Sequence, residues 1–141
     1  MNRIDFYILP SDAPEARWHF VGRLADKAAR PGHRVLIAVD NTEQAKALDE
    51  HLWAQPEDSF LPHRRLGDTD APPAAVEITD SEQCGDHRDV LINLRTAVPS
   101  HFEQFERLAE VVIQAPEVLK TTREHFSFYK SRGYPVRHQQ L

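Results

Sequence analysis

Residues 116–141 carry five bases, Lys120, Arg123, Lys130, Arg132 and Arg137, against two acids, Glu117 and Glu124. The rest of the 141-residue chain carries 12 bases and 20 acids, so a segment of net +3 sits on a body of net −8. At roughly 100° per residue on a helix, Leu119, Lys120, Arg123, Phe126, Ser127 and Lys130 fall on one arc. Val118, Thr121, Thr122, His125, Phe128 and Tyr129 fall on the opposite arc. That second arc carries an aromatic pair and is expected to face the core. Cationic groups around an apolar side chain suit a partner with both a carboxylate and a hydrophobic group, such as a short acidic peptide ending in an aromatic residue. The plainer reading of the same arc is a solvated face whose long stems cover the sheet edge. A second candidate is Trp53-Ala54-Gln55-Pro56-Glu57-Asp58-Ser59-Phe60. Its aromatics bracket a proline turn and either anchor a partner or plug a core.

Other chemistry is absent from the pattern. The eight histidines show no His-x-His or His-x-x-x-His pair, and Cys84 has no thiol near it. Zinc sites usually carry such local pairs, so no metal is expected. Asp86-His87-Arg88-Asp89 could be drawn as an acid–base cluster, but its charged surroundings favour a solvated loop. Ser59 and Ser100 lack the Gly-x-Ser-x-Gly context of a nucleophile elbow. No phosphate-cradling Gly-Lys-Ser/Thr loop occurs. The turn after the first strand, Pro10-Ser11-Asp12-Ala13-Pro14, has no glycine and two residues without an N–H, so a dinucleotide has no backbone to approach. Asp40 could meet a ribose but reads better as a strand end or part of a helix start. The expectation is a binding module with no catalytic residues and no cofactor.

The elements that must position these residues alternate. Arg3–Leu9 reads as a strand and Glu15–Arg30 as a helix closed by Pro31-Gly32. Val35–Val39 reads as a strand buried on both faces. Asn41 is placed to cap a second helix, with Gln44 three residues on as in a capping box. Residues 53–75 hold four prolines and read as one long ordered loop. Val76–Ile78 is a short strand, 79–88 an exposed polar stretch, and Asp89–Leu94 another buried strand. Ser100 is expected to cap a short helix, Glu110–Gln114 to form the last strand, and Pro116 to start a helix ending near Gly133. Strands alternating with helices predict a three-layer, Rossmann-like α/β fold. Its central sheet is mainly parallel, with helices on both faces, in a single domain over 1–141.

Composition bounds the setting. Hydrophobic residues make up 40% and charged residues 28%, values of a folded domain rather than a disordered chain. A lone cysteine, no apolar h-region at the N-terminus and no run of about 20 apolar residues predict a cytoplasmic protein without a membrane contact. An acidic body with net charge −5 is a poor general binder of polyanions.

Several runs together resemble one family. They are Arg34-Val35-Leu36-Ile37-Ala38, Gln44-Ala45, Leu48-Asp49, Leu52-Trp53 and Ser59-Phe60-x-Pro62-His63. To these add the opening Phe6-Tyr7, Arg88-Asp89-Val90-Leu91-Ile92-Asn93-Leu94, Arg123-Glu124-His125-Phe126, Tyr129-Lys130 and Gly133-Tyr134. Across nearly the whole chain they look like the chi subunit of bacterial DNA polymerase III. The resemblance implies a non-catalytic accessory protein of the clamp-loader assembly. Its expected partners are the psi subunit and the acidic C-terminal tail of single-stranded-DNA-binding protein, so DNA is reached indirectly. In some relatives a repair helicase replaces psi on the same surface. Trp53 and Phe60 match the aromatics of the psi or helicase surface. Arg123 matches the principal base of the tail site, and Phe126 an aromatic beside it. Ser127 and Leu119 stand where the family pattern has further bases, and Lys120 and Lys130 are placed to substitute. The alternative is a Rossmann-like protein that binds a nucleotide or nucleic acid on the sheet itself.

Overall fold

The computed structural model describes residues 1–54 and 61–141. The elements run β1 (Arg3–Ile8), α1 (Pro14–Ala29), β2 (Val35–Ala38), α2 (Thr42–Trp53), β3 (His63–Arg65), β4 (Val76–Thr79), β5 (Val90–Asn93), β6 (Arg107–Val112), α3 (Pro116–Ser131) and β7 (Val136–Gln140). A 3-10 turn, Phe102–Gln104, precedes β6. The seven strands form one sheet in the order β3-β4-β2-β5-β6-β1-β7. Every pairing is parallel. The parallel α/β class read from the alternation is the observed one.

Side chains alternate across a strand, and both alternating sets of β2 are buried. Val35, Ile37 and Val39 join a cluster with Val21, Ala25 and Ala28 of α1 and Ala45, Leu48 and Leu52 of α2. Leu36 and Ala38 join the other cluster, with Phe6, Phe102, Leu108 and Tyr129. α1 and α2 therefore cover one face, and α3 with the 3-10 turn covers the other. Gly22 permits the close approach of α1 to α2, since a Cβ there would lie 2.9 Å from Leu52 Cδ2. Proline opens both α1 and α3, where its missing N–H costs no intrahelical bond. Asn41 Oδ1 accepts from the Gln44 N–H at 2.9 Å. The Gln44 side chain returns to the Asp40 N–H rather than to that of Asn41, so the box is one residue wider than expected.

Five expectations need correction. The stretch 53–75 is not one loop, because α2 runs through Trp53 and β3 lies at His63–Arg65. A strand β7 follows Gly133, where the helix was taken as the last element. Ser100 caps nothing. Its hydroxyl and N–H both donate to Glu82, whose pKa is held down to about 2, chiefly by Ser100. The 86–89 cluster is not simply solvated, since His87 is fully buried. β6 also starts three residues before the Glu110 predicted for it. Among the described residues no helix is long and apolar enough to cross a membrane.

Candidate peptide-docking site

α3 is held by its inner face. His125 and Tyr129 are buried and meet Glu110 of β6, itself buried on the α3 side of the sheet. Glu110 Oε2 accepts from the Tyr129 hydroxyl at 2.7 Å, from Asn93 Nδ2 at 3.0 Å and from His125 Nδ1 at 3.0 Å. His125 Nε2 donates to the Thr96 carbonyl at 2.9 Å. Both imidazole nitrogens thus face acceptors. Burial opposes the charged ring, but Glu110 and the Thr96 carbonyl outweigh it and raise the pKa of His125. The Tyr129 hydroxyl is pushed up by burial and by the Glu110 charge. A helix fixed through a buried carboxylate cannot rotate without leaving that charge unpaired.

The C-terminal end of α3 is set by a Schellman turn. Gly133 has φ +80°, its N–H donates to the Lys130 carbonyl, and the Tyr134 N–H donates to the Tyr129 carbonyl. Tyr134 packs on Phe102 at 5.6 Å between ring centroids.

The outer arc falls where the periodicity put it. Lys120, Arg123, Ser127 and Lys130 are exposed and Leu119 is half-buried. Phe126 is 36% exposed. Its ring meets buried Phe6 of β1 edge-on at 5.6 Å, and Lys130 Nζ stands 5.9 Å from its centroid. Among the described residues Lys120, Arg123 and Lys130 have no carboxylate partner. Arg132 and Arg137, the other two bases of the segment, pair with Glu103 and Asp5.

The second candidate surface is only partly described. Trp53 ends α2, is 55% exposed and lies 4.8 Å from the His63 ring of β3. His63 is buried, with Nε2 3.0 Å from Asp49 and Nδ1 2.6 Å from the Leu61 carbonyl. Phe60 lies outside the described residues. α3 and Trp53 stand toward opposite ends of the strand order.

The carboxyl edge of the sheet offers a crevice of about 260 Å³ lined by Arg17, Trp18, Asp40, Thr96, Val118 and Thr121, among others. Asp40 Oδ1 is committed to the Thr96 N–H and hydroxyl, and no glycine lines it. Nothing there matches a dinucleotide site. Among the described residues no group of three His, Cys, Asp or Glu side chains could hold a metal ion. The residues that sequence reasoning missed are Phe6, Glu110 and the β7 strand. Their tie to α3 is made across the sheet, and no local spacing signals it.

The structure defines an α/β scaffold that presents a basic arc beside an aromatic side chain, its bases unpaired among the described residues. Over residues 1–137 the chain matches the family described as DNA polymerase III chi subunit, HolC. It is 39% identical over 141 residues to the DNA polymerase III subunit chi of Pseudomonas aeruginosa, covering 100% of this chain and 98% of that one. With the subunit of the same name from Escherichia coli it shares 33% identity over 139 residues, covering 95% of each chain. The chain belongs to the DNA polymerase III chi subunit family.

Proposed function

We propose that this chain serves DNA replication as an accessory, non-catalytic subunit of DNA polymerase III in the cytoplasm, acting as one unit over residues 1–141. It links the clamp-loader assembly, through psi, to the acidic C-terminal tail of single-stranded-DNA-binding protein. The observation that carries this reading is the outer arc of α3, where Lys120, Arg123 and Lys130, exposed and without a carboxylate partner among the described residues, share a face with part-exposed Phe126. Arg123 pairs with a carboxylate of the tail, Phe126 lines the slot for its apolar end, and Lys120 and Lys130 supply the charge that Leu119 and Ser127 do not. Trp53, with Phe60, forms the surface for psi or, in its place, a repair helicase. DNA is reached through these partners.

Calorimetry with a synthetic acidic peptide ending in phenylalanine tests the tail site. Arg123→Ala is expected to weaken binding about tenfold or more, because a hydrogen bond to a charged group is worth roughly 1.5–3 kcal/mol. Unchanged affinity would remove the site. Trp53→Ala is expected to abolish co-purification with psi while leaving peptide affinity intact. Loss of both together would show a folding defect instead.

A further inference from the structure

Beside the basic arc lies an open sheet edge. β7 stands at the end of the strand order, with β1 as its neighbour. The Ile4 N–H donates to the Pro135 carbonyl, and the Leu141 N–H donates to the Ile8 carbonyl. Backbone polar groups alternate sides along a strand. Residues 135, 137, 139 and 141 therefore turn theirs toward β1. Val136, His138 and Gln140 turn their N–H and C=O groups outward, where no described strand meets them.

The same three residues stand in register with Ile4, Phe6 and Ile8. Registered residues of a parallel pair share a face, so Val136, His138 and Gln140 lie on the Phe6 side of the sheet. That is the side of α3, because Phe126 packs on Phe6. The open ladder and the basic arc thus border one shelf, with α3 along its inner side and β7 along its outer side. Lys130, with Nζ 5.9 Å from the Phe126 centroid, brings positive charge to it, exposed Arg123 stands one turn before Phe126 on the same arc, and His138 is exposed on its floor.

We propose that the acidic peptide docking on α3 does so in extended form, adding as an eighth strand along the outer edge of β7. This rests on the tail reading above and gives it a geometry. Three outward N–H groups and three outward carbonyls hold an extended chain regardless of its sequence. The α3 bases then select the acidic one, and Phe126 takes its apolar end. A helical segment could not use the ladder. A second copy of this chain would bring the two Arg137 side chains near one another, like against like, whereas an acidic strand meets the bases of α3 with the opposite charge.

The experiment uses the full chain and the phenylalanine-terminated acidic peptide, N-methylated on alternate backbone nitrogens in two complementary sets. Side chains and charge stay the same, so only backbone donation changes. One set is expected to bind about fivefold or more weakly and the other as the parent does. Equal affinity of the two sets would overturn strand addition. If Arg123→Ala still weakened the parent peptide, the tail site would survive that result. If it did not, the tail reading itself would fall. On the protein, His138→Pro removes an outward N–H without touching the β1 ladder and is expected to weaken the parent peptide to the same degree, with His138→Val as the control that retains the N–H. Amide exchange at Val136, His138 and Gln140 is expected to slow when the peptide binds. Unchanged exchange at saturation, or a dimer in sedimentation that already protects these amides, would overturn the proposal.

Discussion

Two buried carboxylates on the same face of the sheet are handled in opposite ways. Glu77 of β4 accepts from Arg64 Nε at 2.6 Å, from Arg34 Nη2 at 3.1 Å and from His87 Nε2 at 2.7 Å. Glu110 of β6, three strands further along, accepts from a tyrosine, an asparagine and a histidine. At Glu77 the cations of the region are drawn inward and spent on the fold. Burial opposes the Glu77 charge, but Arg64 and His87 overcome it and lower the pKa. At Glu110 a single histidine and two neutral donors suffice, which leaves the lysines and arginine of α3 pointing at solvent. Local base count therefore says little about where an anion docks. What matters is whether a buried acid has already claimed the bases.

The histidines of the two clusters sharpen the contrast. His125 has acceptors on both nitrogens and its pKa is raised. His87 has one nitrogen on Glu77 and a buried Nδ1 without a hydrogen-bond partner among the described residues. Burial lowers its pKa despite Glu77, and the nearby Arg34 adds to the lowering.

The largest effect is expected at the neutralised cluster. Glu77→Ala leaves two arginines and a histidine without their shared acceptor, and urea denaturation is expected to show a loss of about 3–5 kcal/mol. Below the transition the variant should still bind the acidic peptide normally. Reduced affinity in the folded variant would break the division between the two regions. Arg123→Ala should do the reverse, lowering peptide affinity while leaving the unfolding free energy within about 0.5 kcal/mol. A fall in stability would mean that Arg123 serves the fold after all.

The two histidines predict opposite limbs in a plot of stability against pH. For His125, the folded pKa lies above the ordinary 6.5. Its contribution is complete below 6.5 and is lost as pH rises through the folded value. For His87, the folded pKa lies below 6.5. Its contribution is complete above 6.5 and is lost as pH falls through the folded value. His125→Gln should flatten the upper limb and His87→Gln the lower one, which denaturation across a pH series would show. The smallest effects belong to Lys120→Ala and Lys130→Ala. Each should weaken the peptide only a fewfold, as exposed pairs contribute roughly 0.2–1 kcal/mol, and added salt should erase the difference.

Most of the scaffold was legible because buried parallel strands are apolar runs. Leu36, Ile37, Leu91 and Ile92 announce themselves in this way, and the apolar spacing of Val21, Leu24, Ala25 and Ala28 announces α1. The two strands that escaped notice lie at the two edges of the sheet. His63-Arg64-Arg65 and Val136-Arg137-His138-Gln139-Gln140 are polar because edges face water, so no hydrophobic pattern marks them. The same physics divided the site. The α3 arc follows from helical spacing within one element. Its anchor, Glu110, is a charge inside a strand whose partners lie 15 to 19 residues away in sequence, and only the fold brings them together. His87 was misread for the same reason, since it lies in a turn and the carboxylate that draws it inward lies on β4.

The position of β1 has a kinetic meaning. It is the first strand in the chain, yet Arg3 pairs with Arg107 and Ile4 with Val136. An apolar segment, Ile4 with Phe6 and Ile8, must wait for residues more than a hundred positions later before it is flanked on both sides. Such separations slow folding, because a long loop must close before the contacts that reward closure can form. Until β6 and β7 are in place this greasy segment stays unsheathed, and exposed apolar surface of that kind is what makes partly folded chains prone to aggregate.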